Sequence, residues 1–126
     1  MPSFTVGDID EMAALHHGAV KLAAAELGVE SFGMQLLDLP AGFADYPAHD
    51  HSEDGMEEVY VVLDGSGEFE IDGERVAVDR SRMLRISPDA TRKLEPGPHG
   101  VRVLAIGCTA AKPYERPEGF RLAGRS

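Results

Sequence analysis

Two histidines stand one residue apart in the segment AHDHSEDGMEEVYVVLDG, residues 48–65. Glu57 and Glu58 follow shortly after, at the head of an apolar run. On an extended chain, side chains two apart point the same way, so His49 and His51 share a face. Neutral imidazoles are the usual ligands of zinc, nickel, copper and iron. A turn across SEDGM would bring Glu58 back beside them. Two imidazoles and one carboxylate with open positions form the facial arrangement of non-haem iron sites. The competing reading is the wet end of an ordinary sheet.

The elements that must position these residues are short strands. SFGMQLLDL (31–39) and EEVYVVLDG (57–65) read as strands. In the second, Glu58, Tyr60 and Val62 share one face, and Glu57, Val59, Val61 and Leu63 the other. Tyr60 is therefore a candidate pocket residue, or a core aromatic with a satisfied hydroxyl. GEFEIDGERVAV (67–78) predicts a hairpin turning at Asp72–Gly73. RMLRIS (82–87), TRKLEP (91–96) and GVRVLAIGC (100–108) add three more strands, the last buried on both faces. About seven or eight strands at this turn spacing predict an all-β sandwich or barrel.

Residues 8–28 are the one helix-like stretch, as one helix or as two short ones divided at Gly18. AVKLAAAELG is the stronger half, with Gly28 as its stop. His16 and His17 are adjacent, so on a helix they make a poor clamp and read as surface residues. The tail, residues 109–126, carries no periodicity and is expected to wrap the surface or fray.

Composition bounds the rest. A chain of 126 residues is the usual size of one domain and buries a core without staples. The organisation expected is a helical segment over 1–30, a barrel over 31–108 and the tail. A net charge of −10 argues against nucleic acid as a partner. Asp45, Asp50, Glu53, Asp54, Glu57 and Glu58 crowd one segment, either as a solvated face or as an acidic rim around a cation site. The single cysteine, Cys108, permits no internal disulfide and reads as a small buried hydrophobe. There is no signal-peptide pattern and no apolar run of membrane-spanning length, so a reduced, cytoplasmic setting away from membranes is expected.

The segment resembles the first motif of the cupin superfamily, G-x5-H-x-H-x(3,4)-E-x6-G. His49, His51, Glu58 and Gly65 match it, and EEVYVVLDGSGEFEIDGE looks like the strand, turn and hairpin of small single-domain cupins. The resemblance implies a jelly-roll β-barrel with a short N-terminal helical segment. It also implies a divalent transition metal (nickel, zinc, manganese or iron) held by His49, His51 and Glu58, and a small-molecule ligand in the barrel. The chain departs from the pattern in three places. Six residues separate His51 from Glu58 where three or four are usual, which leaves Glu57 as a competing ligand. Gly42 lies one residue early. In the second motif, G-x5-P-x-G-x2-H-x3-N, the positions fall on Ser81, Ser87, Asp89, Arg92 and Pro96, and Arg92 replaces the fourth ligand.

Arginine has no lone pair to give a metal. Either three residues hold the metal while Arg92 binds an anionic ligand, or Arg92 replaces the metal and pairs with Glu58 in a metal-free binding module. His99, in the loop PGPHG, is a remote substitute ligand. Cupins include enzymes of several classes and binding proteins, so catalytic residues are unassigned. The resemblance implies a metal-binding cupin that acts on or senses a small polar, anionic molecule. A third reading is a structural homodimer with a vestigial pocket. The apolar faces of VRVLAIG need a cover, which makes a homodimer the expected assembly.

Overall fold

The computed structural model describes residues 3–123. Seven strands form one antiparallel sheet: β1 (Ala14–Leu15), β2 (Val20–Lys21), β3 (Gly33–Leu39), β4 (Glu57–Ile71), β5 (Glu74–Asp79), β6 (Met83–Ile86) and β7 (Arg92–Cys108). The spatial order is β1-β2-β3-β7-β4-β5, with β6 also on β4. β4 and β7 pair along their lengths, from Glu57↔Cys108 to Ile71↔Arg92. On the far edge of β4, β6 covers its first half and β5 its second.

Both long strands bend in the middle, where the pairing shifts register between Val62 and Asp64 and again between Gly65 and Gly67. The bend lets the two halves of β4 face each other, so the rings of Tyr60 and Phe69 meet at 4.7 Å. Inside lies one apolar core that includes Leu37, Leu39, Phe69, Leu94 and Val103, each at most 1% exposed. The alternation read for residues 57–63 holds: Glu58, Tyr60 and Val62 are buried and their neighbours are not.

The hairpin at Asp72–Gly73 forms as expected, with both residues at positive φ (49° and 86°) and Ile71 opposite Glu74. The strands read separately at 91–96 and 100–108 are one strand, β7. It continues because Gly100 takes a positive φ of 80° and bends the chain without ending its pairing. Only the inner face of residues 100–108 is fully buried, so the outer face is less covered than the apolar run suggested. Cys108, at the end of β7, is exposed, against its reading as a buried hydrophobe.

The N-terminal expectation is corrected most. Residues 14–21 form the small hairpin β1–β2, turning through His16, His17 and Gly18 at φ of 53°, 58° and 90°. The N-terminal stretch is helical only in a short 3-10 turn at Ile9–Glu11 and in the α-helix α1 (Ala23–Leu27), which Gly28 ends in the left-handed conformation. Both histidines are exposed, as read. Among the described residues no helix is long and apolar enough to cross a membrane.

Gly65 marks the tightest point of the bend. Its φ is 73°, and a Cβ there would lie 2.2 Å from the carbonyl oxygen of Gly100. Gly65→Ala is expected to lower the unfolding free energy by at least about 2 kcal/mol. Gly73→Ala, at a positive φ with nothing within 4 Å of the new methyl, is expected to cost less. Urea unfolding of the two variants measures the difference.

Candidate metal centre

The extended segment after Tyr46 is pinned to the start of β7. His49 and Arg92 exchange both backbone hydrogen bonds (3.0 and 2.8 Å), and the His51 N–H donates to the Pro88 carbonyl at 2.7 Å. This extended pairing turns both imidazoles inward, with ring centres 5.2 Å apart and nearly perpendicular planes. The chain then turns through SEDG, closed by the Gly55 N–H on the His51 carbonyl at 2.7 Å, and enters β4 one residue before Glu58. One ligand atom from each of His49, His51 and Glu58 lies within 4.8 Å of the others.

The imidazoles are oriented from behind. His51 Nδ1 lies 3.1 Å from both oxygens of Asp54, so its N–H donates to that carboxylate. His49 Nδ1 faces the Pro47 carbonyl at 3.4 Å. Each ring therefore turns Nε2 toward Glu58, at 3.9 Å for His49 and 3.1 Å for His51. The buried His51 Nε2 makes no aligned hydrogen bond with any described residue despite that short distance. His51 Nε2 is therefore close to Glu58 but free to give its lone pair to a third group. Two imidazole lone pairs and a carboxylate oxygen meeting in this way fit a cation. Asp54 comes from the lengthened SEDG turn, so the added residues supply a carboxylate behind a histidine ligand.

Arg92 is fully buried. Its Nη1 donates to Glu58 Oε1 at 2.7 Å and its Nη2 to the Ser87 carbonyl at 2.6 Å, while Nε has no partner among the described residues. The Tyr60 hydroxyl donates to the same Oε1. Every hydrogen bond found to Glu58 among the described residues thus ends on Oε1, and Oε2 receives none.

Burial alone would raise the Glu58 pKa, but the imidazoles of His49 and His51 and the Tyr60 hydroxyl outweigh it, and the carboxyl stays ionised. For His51, burial acts to lower the pKa, yet Glu58 and Asp54 raise it on balance. Carboxylates that strengthen the hold on a proton also strengthen the hold on a metal ion.

The three groups open on a cavity of about 300 Å³. Its polar lining includes His16, Gln35, Tyr46, Asp50, Asp54 and Tyr114. Val20, Met56, Pro117 and Phe120 supply apolar wall. Tyr46 is 7% exposed, and burial and the charge of Glu58 hold its hydroxyl protonated well above the ordinary range.

Two expectations change. Tyr60 does not line the cavity; it is a core aromatic, 2% exposed, whose hydroxyl is used by Glu58. Arg92 does not line it either, because its guanidinium is spent behind Glu58, so direct contact with an anionic ligand is not what this geometry offers. Glu57 points outward to Arg85, and His99 lies at a separate hollow beside Asp38 and Asp64, so neither joins the three donors. Tyr46, Tyr114 and Phe120 were not legible as site residues, and Asp54 was legible only as one carboxylate of a candidate acidic rim. The tail, read as wrapping or fraying, forms part of the cavity wall, anchored by Arg116 on the carbonyl of Val29.

No protein-family model matches the chain, and no curated protein matches it. Solved structures do. A cupin protein from Bacteroides fragilis is 24% identical, with 93% of each chain covered and a TM-score of 0.71. The chain has the cupin fold. A predicted oxalate decarboxylase from Thermotoga maritima is 20% identical to this chain, with 74% of this chain and 70% of that one covered and a TM-score of 0.54. The DMSP lyase from Ruegeria pomeroyi is also 20% identical, over 68% of this chain and 42% of that one, at a TM-score of 0.56.

The Arg92–Glu58 pair sits where neither charge can be left alone. Arg92→Met is expected to destabilise the protein by about 3–5 kcal/mol, because an unpaired carboxylate remains in the core. Adding Glu58→Gln should recover a large part of that loss. Denaturant unfolding of the two single variants and the double variant closes the cycle. A double variant as unstable as the sum of the singles would remove the coupling.

Proposed function

We propose that this cupin binds a divalent transition metal through His49, His51 and Glu58 and acts on, or senses, a small polar molecule in the adjoining cavity. The observation that carries the reading is that two oriented imidazoles and one carboxylate bring a ligand atom each within 4.8 Å of the others. A bound metal of nickel, zinc, manganese or iron type would supply a Lewis acid toward a ligand oxygen. The chain's own part is to fix the donors: Asp54 orients His51, the His49–Arg92 backbone pairing sets the strand, and Arg92 with Tyr60 fixes Glu58. The names of the two similar enzymes, a DMSP lyase and a predicted oxalate decarboxylase, make an enzymatic role compatible with the fold.

A second reading is supported by the direct Arg92–Glu58 contact. In it the guanidinium replaces the metal, and the imidazoles serve as hydrogen-bonding groups of a metal-free binding module. Elemental analysis of protein expressed without a metal-affinity tag separates the two. The metal reading expects about one equivalent, lost on chelation. Asp54→Ala should weaken the metal about 10–100-fold in chelator competition by freeing the His51 ring. Arg92→His, which places an imidazole at the family's fourth-ligand position, should strengthen it by at least about tenfold, or ~1.4 kcal/mol. Protein that retains no metal from medium supplemented with all four ions would leave the metal-free module as the better account.

A further inference from the structure

Tyr46 is the most buried hydroxyl facing the cavity. Its ring stands edge-on between the imidazoles of His16 (6.5 Å) and His49 (5.9 Å), and the residue is only 7% exposed. Tyr60, the other deeply buried tyrosine, spends its hydroxyl on Glu58, whereas the Tyr46 hydroxyl makes no hydrogen bond with a described residue and is not among the fully enclosed unpaired polar atoms, so it stays accessible from the cavity. A free donor on a cavity wall takes its partner from the cavity, here the one that Tyr46 lines together with the three metal-binding candidates.

The rest of the lining limits what that partner can be. Carboxylates are the charged groups of the lining, namely Asp50, Asp54 and Glu58, and the nearby cation, Arg92, is held behind Glu58. With a divalent ion in place these charges come near balance. A ligand with one negative charge is then tolerated, whereas a second charge would face the carboxylates of Asp50 and Asp54. Val20, Met56, Pro117 and Phe120 offer the ligand an apolar surface. A phenol hydroxyl and a hard divalent ion both seek oxygen.

We propose that Tyr46 donates a hydrogen bond to an oxygen of the bound ligand, and that the ligand is a small, singly charged oxygen acid with an apolar body. The inference rests on the metal reading above and adds the residue and the ligand class. Tyr46 is a ligand-binding residue in this account, and the tail contributes specificity through Phe120.

The test uses zinc-loaded protein and two hydroxamates, which bind as singly charged oxygen donors. Benzohydroxamate carries an apolar ring and acetohydroxamate does not. Calorimetric titration of Tyr46→Phe should show zinc affinity unchanged and benzohydroxamate affinity reduced about tenfold. Phe120→Ala should weaken benzohydroxamate at least about fivefold more than acetohydroxamate, because the lost contact is with the apolar body. Should Tyr46→Phe fail to fold, wild-type protein carrying 3-fluorotyrosine at position 46 alone gives a second measurement. Its fluorine resonance should move when acetohydroxamate is added to the zinc-loaded protein. Stoichiometric zinc with equal hydroxamate affinity in wild type and Tyr46→Phe, or an unmoved fluorine resonance at saturating hydroxamate, would overturn the role of Tyr46. Equal effects of Phe120→Ala on both hydroxamates would overturn the apolar body. Wild-type protein that takes up no zinc fails at the first step, and what falls then is the metal reading itself.

Discussion

The contact on which the site depends is the buried pair between Arg92 and Glu58. Arg92 is the largest fully buried side chain of the described residues, and a guanidinium without a counter-charge would not be tolerated there. Glu58 supplies the charge, and Ser87 and Tyr60 add hydrogen bonds to the pair, although Arg92 Nε has no partner among the described residues. The pair joins the second residue of β4 to the first of β7. That β7 residue also holds the backbone of His49. One ion pair therefore ties the carboxylate, the histidine segment and the bend of the barrel into a single arrangement.

The same pair crowds one oxygen of Glu58, for Oε1 is also the oxygen nearest Nε2 of both His49 and His51. Oε1 takes the donors of Arg92 and Tyr60, while Oε2 takes none among the described residues. A fully buried cation lies behind the carboxylate, and it repels any second cation placed in front. A metal at this centre would therefore be held against the field of Arg92, and the surrounding carboxylates would have to offset that field.

Much of this was legible in residues 49–79, because a strand with one buried face repeats with period two and Asp72–Gly73 has the chemistry of a two-residue turn. That Glu58, Tyr60 and Val62 share a face follows from that period; that this face is the inward one comes from the resemblance to the cupin motif, since Val59, Val61 and Leu63 make the other face the more apolar. The N-terminal segment was not legible, because its alanine-rich composition favours helix while pairing with β3 decides the structure. His16 and His17 take positive φ in the turn of a hairpin, which propensity does not suggest. The continuity of β7 was hidden by Pro96, Gly97 and Pro98, which read as a loop and are instead part of a bent strand. Tyr114 and Phe120 were out of reach for another reason. Their place in the cavity wall is set by contacts far along the chain, such as Arg116 with Val29, and leaves no local pattern.

Two departures from the cupin motifs belong together in physical terms. Arg92 at the fourth-ligand position removes a neutral imidazole and adds a positive charge. The lengthened turn between His51 and Glu58 adds Asp54, whose carboxylate grips His51 Nδ1 through both oxygens at 3.1 Å. A carboxylate behind an imidazole raises its basicity, and the His51 pKa rises despite the burial that acts against it. The extra residues thus return to the site the negative charge that the arginine cancels. On this view the turn length and the arginine are coupled. A turn shortened to the usual spacing would leave Arg92 uncompensated, and restoring a histidine at position 92 would leave Asp54 less to offset.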